Sequence, residues 1–419
     1  MLSNQESYYA ISINERLEIS VTKNERDAYV LPTYTALQCS VVTNGKFKFI
    51  SGTDLDFFFC ETLRDDSVEW IRFDKLQKFL QNEYPKNILE YFFKHIFEIV
   101  EDSNVLDSVC FIKALQCGSL EKIRRIPKSD LHNHVPLGGS RAFLSKLTGY
   151  KVPELTGKFS SILEMNDWCK KNVKGRLNVS NEFVARALAA FLQAEYDGIT
   201  VFAPNFALCA RKDFNSYDEL LQFITSLIEK FSTSMKIYPE LCLDRHKIDS
   251  QKEQEAITLM KTGIFRSIDV TGDESLGIDR FIDIYHEATK LGIIKKAHVG
   301  EFCDAKYVAD AIHKLDLNMV QHGISSVKDE TVVKLIKERA IALTICPTSN
   351  YLLSRVDTIS SHPIKELVKN DIHVSICSDD ILVFDSNVSG EYLKLYNAGV
   401  LSEFELNNIR IFGLRFYSN

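Results

Sequence analysis

The chain has 419 residues, of which 45% are hydrophobic and 26% are charged, a composition typical of a folded globular protein. Its formal net charge of -7 gives no support for a surface that binds nucleic acid. These values exclude a disordered chain and are compatible with an enzyme or a binding protein of one or two domains.

The first residues lack the basic start and apolar core of a signal peptide, so we expect none. The most apolar stretch, residues 88–100, contains charged side chains and is too short to span a bilayer. The ten cysteines lie far apart and form no Cys-x-x-Cys pair, which indicates reduced thiols. The sequence therefore predicts a cytoplasmic protein with neither a membrane nor a nucleic acid as partner.

Residues 1–125 carry no pattern that indicates chemistry. Between Tyr8 and Ile50 the chain is rich in β-branched and aromatic residues, which predicts strands. Between Ile71 and Ile99 apolar residues recur at every third or fourth position, which predicts a helix. We therefore expect an α+β module over 1–125 that serves packing, capping or homo-oligomerisation, followed by a second domain over 126–419.

In that second domain, short β-like segments alternate with amphipathic helical patterns. The β-like segments are 130–134, 199–203, 236–243, 265–270, 295–300, 318–322, 340–346 and 372–378. The clearest helical patterns are 181–195, 216–231, 278–291 and 328–337. This alternation predicts an α/β fold, a (β/α)8 barrel of the TIM type, with its active site at the carboxyl ends of the strands. The long first connection, 135–198, has room for extra helices over the barrel mouth.

Polar residues cluster at the ends of these predicted strands. His132 and His134 end the first strand, and residues two apart on a strand share a face, so both imidazoles can bind one metal ion. Later strand ends carry further candidate groups: Thr271 to Glu274, His298 to Glu301, His322-Gly323, Cys346 to Asn350 and Ser378 to Asp380. One rim of a barrel would bring all of them together. The histidines outside this scheme are predicted to be structural: His95, His246, His286, His313, His362 and His373.

With these motifs in place, residues 126–419 resemble the adenosine deaminase family of the amidohydrolase superfamily. The motifs that carry the resemblance are His-Asn-His at 132–134, Gly-Asp-Glu at 272–274, His-Val-Gly-Glu at 298–301, His-Gly at 322–323, Cys-Pro-Thr-Ser-Asn at 346–350 and Ser-Asp-Asp at 378–380. They occur in the family's order and together are highly specific. The resemblance does not extend to the first 125 residues.

The resemblance implies one metal ion per chain, held by four ligands with one position open for water: His132, His134, His298 and Asp379. An open position is typical of catalytic rather than structural zinc. Imidazole and carboxylate ligands favour zinc, although they also suit iron or manganese.

The resemblance also implies the reaction, which is hydrolytic deamination of an adenine ring at C6 to a hypoxanthine-type product and ammonia. Glu301 would protonate ring N1, while His322 and Asp379 would orient and deprotonate the attacking water. Asp380 would bond purine N7, and the backbone N–H of Gly272 would bond N3.

One segment departs from the family pattern. Family members follow the histidine pair with Leu-Asp-Gly-Ser, whose aspartate reaches the ribose 5′ hydroxyl, whereas this chain is longer by two residues and has Gly138 there. Loss of that carboxylate, with Gly138 and Gly139 able to offer backbone N–H groups, favours a 5′-monophosphate substrate such as AMP or dAMP. Nearby basic residues could supply countercharge: Arg141, Lys170, Lys171, Lys174 and Arg176.

Other functions stay open at this point. The unphosphorylated adenosine or deoxyadenosine is the nearest alternative, and free adenine or an N6-substituted purine would require only a different loop and lid. A third hypothesis is a non-catalytic metal-binding barrel that acts as a sensor or scaffold. The complete set of ligands, together with Glu301 and His322, argues against loss of catalysis.

Overall fold

The protein was analysed as a computed structural model, which describes residues 7–13, 18–24, 37–43, 46–48, 71–72 and 103–417. The chain divides into two compact units, Met1–Cys117 and Gly118–Asn419. The division falls at Cys117, whereas the sequence predicts residue 125. Residues 118–125 belong to the second unit, where Lys128 Nζ donates hydrogen bonds to the carbonyl oxygens of Ile123 (2.8 Å) and Ile126 (2.7 Å).

The described part of the first unit contains an antiparallel sheet of five strands in the order β4-β3-β1-β2-β5. The strands are β1 (Ser7–Ile13), β2 (Glu18–Asn24), β3 (Leu37–Thr43), β4 (Lys46–Lys48) and β5 (Ile71–Arg72). The strands predicted between Tyr8 and Ile50 are thus present. The helix predicted over 71–99 lies outside the described residues, except that its first two residues form β5. Helix α1 (Ser103–Gln116) ends this unit.

The second unit contains eight parallel strands, as predicted, with a short ninth strand beside the second of them. In chain order the strands are β6 (Lys128–His134), β7 (Ile199–Ala207), the short β8 (Lys236–Ile237), β9 (Glu240–Asp244), β10 (Ser267–Thr271), β11 (Ile294–Val299), β12 (Met319–His322), β13 (Ala342–Ile345) and β14 (Val374–Ile376). Each strand pairs with the next in sequence, apart from β8, which pairs only with β7. This order is that of a (β/α)8 barrel.

The helices surround the strands and follow the predicted pattern. They are α2 (Leu120–Arg124), α3 (Arg141–Thr148), α4 (Ile162–Asn172), α5 (Glu182–Tyr196), α6 (Tyr217–Phe231), α7 (Ser250–Met260), α8 (Ile282–Lys290), α9 (Ala305–Leu315), α10 (Glu330–Glu338), α11 (Pro347–Leu352), α12 (Ile364–Lys369), α13 (Ile381–Phe384), α14 (Val388–Asn397) and α15 (Glu403–Arg415). Side-chain caps begin many of them, such as Asn181 on α5 and Ser216 on α6.

The first and last barrel strands meet just beyond β14. The backbone N–H of Asp379 donates to the carbonyl oxygen of His132 at 2.9 Å, and Asn133 forms a parallel bridge with Asp379. Helix α15 covers this seam so closely that a Cβ atom added to Gly413 would lie 2.1 Å from Ser129 Oγ. The barrel is therefore nearly closed, and the predicted fold is confirmed.

The long connection between β6 and β7 carries three helices, α3 to α5. Helix α4 packs an apolar cluster against the loops that follow β13 and β14. Its buried members are Phe159, Met165, Cys169, Leu353, Val383 and Phe384. This cluster, called the α4 cover below, lies on the side of the barrel where the strands end.

Two sequence expectations about the wider chain can be compared with the structure. All eight cysteines whose side chains are described are free thiols. Among the described residues, none of the helices combines the length and the apolar character that crossing a membrane requires.

Candidate active site

Strand β6 brings the histidine pair to the barrel mouth. His132 is fully buried and His134 is partly buried, and both rings project from the same face of the strand. Their Nε2 atoms lie 3.3 Å apart. The two imidazoles are thus positioned to share one ligand.

His298 and Asp379 join this pair from β11 and from the loop after β14. His298 Nε2 lies 3.2 Å from His134 Nε2. Asp379 Oδ1 lies 3.6 Å from His132 Nε2 and 3.4 Å from His134 Nε2. Asp379 has a φ of +58°, which is uncommon for a residue other than glycine, and the bond that closes the barrel holds it in this conformation. The structure thus brings together all four residues predicted as metal ligands.

Hydrogen bonds at the outer edges of the rings determine which nitrogen atoms are free. His298 Nδ1 lies 2.9 Å from Asp269 Oδ2, and a carboxylate can only accept, so this Nδ1 carries the hydrogen. His132 Nδ1 bonds Thr344 Oγ1 at 3.1 Å. Burial lowers the pKa of both histidines well below its usual value, so both rings are neutral. Their Nε2 lone pairs face one point beside a carboxylate, which is the donor set that a divalent metal ion requires.

His322 and Glu301 lie next to this cluster, at the ends of β12 and β11. Glu301 Oε1 is 3.5 Å from His322 Nδ1, and His322 Nε2 is 3.9 Å from Asp379 Oδ2. Burial, together with the neighbouring carboxylates of Asp379 and Glu274, raises the pKa of Glu301 well above its usual value. Burial lowers the pKa of His322 to about 3. The site therefore favours the neutral form of the Glu301 carboxyl group beside a neutral imidazole.

Asn350 links these two groups. Its Nδ2 donates to Glu301 Oε1 at 2.8 Å and to His322 Nδ1 at 3.2 Å. Its Oδ1 accepts from His362 Nε2 at 3.2 Å, while His362 Nδ1 accepts the backbone N–H of Ile364 at 3.1 Å. Because the backbone N–H of Ile364 can only donate, His362 Nδ1 must accept, so His362 Nε2 donates to Asn350 Oδ1 and Asn350 Nδ2 donates to His322 Nδ1. His322 thus carries its hydrogen on Nε2, facing Asp379.

His362 lies closer to the site than its sequence position indicates. The sequence predicts it to be a structural residue, and the structure places it behind Asn350, with that one residue between it and both Glu301 and His322. Asn350 was recognised only as the last residue of a motif. Asp269 and Thr344 were missed entirely, and only their positions on β10 and β13 could have indicated them.

The turn that carries Glu301 is fixed by Glu274. The Glu274 carboxylate accepts four backbone N–H groups, from Gly300 (2.8 Å), Glu301 (3.1 Å), Phe302 (3.2 Å) and Cys303 (3.0 Å). Glu274 is itself buried. A buried carboxylate with four donors sets the conformation of the whole turn and thereby the direction of the Glu301 side chain.

Asp380 and Gly272, the two predicted purine-binding residues, also lie at strand ends. Asp380 is buried, and its Oδ1 has no hydrogen-bond partner among the described residues. Burial and the adjacent Asp379 raise the pKa of Asp380 to about 7. Gly272 follows β10 with a φ of +95°, and its carbonyl oxygen accepts from Arg245 NH1 at 3.3 Å.

Gly138 and Gly139 are buried. Neighbouring protein atoms fill the space into which a side chain would project from either residue. A Cβ atom on Gly138 would lie 1.9 Å from Asn133 Oδ1, and one on Gly139 would lie 2.6 Å from the Ala189 carbonyl carbon. Close packing therefore explains both glycines. Their predicted role in binding substrate stays a prediction.

The basic residues near this loop differ in whether other groups of the protein already bind their charged ends. Arg141 donates to the carbonyl oxygens of Leu382 (3.0 Å) and Val383 (2.8 Å), and Lys170 pairs with Asp167 at 2.9 Å. Both cations are therefore engaged within the protein. Lys174 is exposed, and its charge favours the ionised form of Asp380.

A (β/α)8 barrel with three histidines, an aspartate and a buried glutamic acid at the strand ends defines a metal-dependent hydrolase of the amidohydrolase type. Comparison with known proteins narrows this class. The sequence profile of the adenosine deaminase family matches residues 212–416.

Similar proteins match about two thirds of the chain. A putative adenosine/adenine deaminase of Treponema pallidum is 29% identical over 287 residues, which cover 68% of this chain and 96% of that protein. An adenosine deaminase of Plasmodium gallinaceum is 30% identical, covering 65% of this chain and 81% of its own length. A zinc-bound amidohydrolase from Burkholderia ambifaria shares the fold, with a TM-score of 0.58 at 17% identity, covering 71% of this chain and 87% of its own. The chain belongs to the adenosine deaminase family and is an enzyme.

Replacing Glu274 with Gln should destabilise the turn that carries Glu301. A glutamine has one acceptor oxygen, so some of the four N–H groups would lose their partner, at about 1–3 kcal/mol for each buried group left unpaired. Urea unfolding should show this loss in the free energy of unfolding. Asp273→Asn is the matched control, because Asp273 bonds only Ser275 in its own turn. Equal stability of the two variants would contradict the assignment.

Proposed function

We propose that this enzyme hydrolytically deaminates an adenine-type purine at C6. The observation that carries the proposal is the pairing of a buried Glu301, whose pKa is raised, with four converging metal-type ligands. Attack of water on C6 disrupts the aromatic ring, so it requires both an activated water and an acid at ring N1. The family relationship supports the same reaction, since the two relatives described above are named as adenosine or adenine deaminases.

We assign the metal to His132, His134, His298 and Asp379, with zinc as the ion. When bound, zinc supplies an electrophile that lowers the pKa of a coordinated water from about 15.7 towards about 7. The four residues would hold the ion. Asp269 and Thr344 keep the two outer Nδ1 hydrogens directed away from it.

Glu301 acts as the general acid in this scheme. Burial raises its pKa and so favours the protonated form that an acid requires, and the Asn350 amide holds its Oε1 at 2.8 Å, which orients the group. It donates its proton to N1 as C6 becomes tetrahedral, and it then carries a proton towards the departing ammonia.

His322 and Asp379 position the attacking water. Because Asn350 donates to His322 Nδ1, the His322 Nε2–H is free to donate to the water oxygen. The Asp379 carboxylate, with Oδ2 3.9 Å from that nitrogen, accepts the proton that the water loses. We therefore assign the orienting role to His322 and the proton-accepting role to Asp379, which the sequence assigned jointly to this pair.

Asp380 and Gly272 hold the purine. Purine N7 has no hydrogen, so a carboxyl group that bonds it must itself be protonated. The pKa of about 7 for Asp380 keeps a large share of the group in that form at neutral pH. The Gly272 backbone N–H is assigned to N3.

Among adenine-type purines we propose a 5′-monophosphate as the substrate. Residues 135–140 contain no carboxylate to repel a phosphate. Two cations act on the site from its rim: Lys174 on Asp380, and Arg355 on Glu301. The guanidinium of Arg355 lies 4.8 Å from the centre of the Phe302 ring, at the barrel mouth. Both side chains could approach a phosphate carried by the ribose.

Free adenine is a second candidate, favoured by the α4 cover. Its apolar residues pack against the loops that follow β13 and β14, and an apolar surface there would suit a small, flat base without a charged substituent. The two substrates are separated by an absorbance screen for deamination across adenine, adenosine, deoxyadenosine and their 5′-monophosphates. A protein that carries metal and deaminates none of them would overturn the proposed function.

The first prediction concerns the metal. Elemental analysis of the purified protein should find about one transition-metal ion per chain, as expected for a single site with four ligands. His298→Ala should reduce this content sharply, because it removes a ligand. His373→Ala removes a histidine that stacks on Phe412 just before β14, at the opposite end of that strand from Asp379, and should leave the content unchanged. Full activity of a metal-free wild-type protein would refute the assignment.

The second prediction concerns Glu301. Glu301→Gln preserves shape but removes the proton, so turnover should fall by about 10²–10⁴-fold with metal still bound. Because the acid works only when protonated, wild-type activity should fall as pH rises through the Glu301 pKa. The pH profile of kcat for both proteins tests this. Near-normal turnover of the variant would mean that another group is the acid.

The third prediction concerns the phosphate. If one or two charge-assisted hydrogen bonds of about 1.5–3 kcal/mol each reach it, kcat/KM should be at least tenfold higher for the monophosphate than for the nucleoside. Arg355→Met and Lys174→Met should each reduce this preference, whereas Lys170→Met, which loses only its pair with Asp167, should not. Gly138→Asp is unsuitable because its side chain would collide with Asn133. Equal kcat/KM for the nucleoside and the monophosphate would refute the proposed preference for a phosphate and would leave the deaminase assignment intact.

A further inference from the structure

Glu240 lies fully buried inside the barrel and accepts four hydrogen bonds. Oε2 accepts from Lys296 Nζ (2.7 Å) and Ser267 Oγ (2.8 Å), while Oε1 accepts from Asn205 Nδ2 (2.8 Å) and Gln321 Nε2 (3.3 Å). A carboxylate accepts in all directions, so the two amides must both present their NH2 groups to it. Glu240 thus determines how both amides are turned.

The orientation of the Gln321 amide determines which nitrogen of His132 carries the hydrogen. With its NH2 towards Glu240, Gln321 presents its Oε1 to Thr344, and the Thr344 hydroxyl donates to it. The hydroxyl has only one hydrogen, so towards His132 it can only accept. His132 must therefore carry its hydrogen on Nδ1, 3.1 Å from Thr344 Oγ1, and keep Nε2 free.

The Asn205 amide leads from the same carboxylate to a second histidine. Its Nδ2 also donates to Asp269 Oδ2 at 3.1 Å, and Asp269 accepts from His298 Nδ1 at 2.9 Å. One buried carboxylate therefore begins two series of hydrogen bonds that end on two different histidines of the cluster. Glu240 touches neither histidine itself.

We propose that Glu240, held by Lys296, is a positioning residue that fixes the Nε2 lone pair of His132 towards the metal through Gln321 and Thr344. The proposal rests on the metal role assigned to His132 under the proposed function. Partners behind metal-binding histidines typically alter metal affinity about 10–100-fold when they are removed.

In Glu240→Gln the new side chain is neutral, and the donors and acceptors of this series of hydrogen bonds should exchange roles. Lys296 donates only, so the amide oxygen of the new glutamine turns to Lys296 and its NH2 turns to Gln321. Gln321 then presents its oxygen to that NH2 and its own NH2 to Thr344. The Thr344 hydroxyl accepts from Gln321 and donates to His132 Nδ1, which moves the His132 hydrogen to Nε2, where it opposes the metal.

Removing the ammonium group should restore the original direction. In Glu240→Gln with Lys296→Met, nothing forces the amide oxygen towards position 296. It can turn back to Asn205 and Gln321, while its NH2 donates to Ser267 Oγ. The double variant should therefore bind metal more tightly than the single variant, although it departs further from the native sequence.

The experiment measures the zinc dissociation constant of the metal-free protein by competition with a chelating dye, with thermal unfolding of the same samples as a measure of folding. Glu240→Gln and Thr344→Val should each weaken zinc binding about 10–100-fold, and Lys296→Met should rescue Glu240→Gln. Ser129→Ala is the matched control, because it removes a buried hydroxyl that bonds Ser375 rather than this series. It should bind zinc like the wild type.

Two outcomes overturn the inference. The first is unchanged zinc affinity in both Glu240→Gln and Thr344→Val. The second is a double variant that folds but binds zinc no better than Glu240→Gln, since the loss would then follow from the missing charge. Thr344→Val keeps the test decisive if the Glu240 variants fail to fold. A wild-type protein that binds no zinc would instead refute the proposed metal role, so the two failures are distinguishable.

Discussion

The hydrogen bond from the Asp379 N–H to the His132 carbonyl oxygen is the contact on which the rest of the site depends. At 2.9 Å it joins the last strand to the first, and it holds Asp379 in a left-handed conformation. The same two residues supply candidate metal ligands. Closing the barrel and assembling the ligands are therefore one structural event, and a sequence that failed to close this seam would also lose the site.

The barrel and the identity of the residues at its mouth were accessible from the sequence because both depend on local patterns. Alternating apolar segments predicted eight parallel strands, and all eight are present. The parallel order then places every strand end on one rim, so His132, His298 and Asp379 could be expected to converge without knowledge of any distance. Their chemical roles do not follow from position alone and stay proposals.

The direction of the buried hydrogen bonds, meaning which group donates and which accepts, could not be predicted from the sequence. The functional state of His132 depends on which way the Gln321 amide is turned, which depends on Glu240 about eighty residues earlier in the chain. Periodicity records which face of a strand a residue occupies, but it does not record which atoms of a buried polar group donate. The place of His362 beside the site could not be predicted for the same reason, since it depends on a hydrogen bond to Asn350 and on no pattern around it.

The α4 cover has a thermal consequence for the fold. Its six buried members are apolar, so the hydrophobic effect contributes to its packing, and this contribution weakens on cooling. Hydrogen bonds also tie the same segment to the loop after β13, from the Phe159 N–H to the Leu352 carbonyl oxygen (2.7 Å) and from Ser354 Oγ to the Phe159 carbonyl oxygen (2.7 Å). These bonds do not depend on apolar burial, so we expect the segment to keep its place on that loop as the temperature falls.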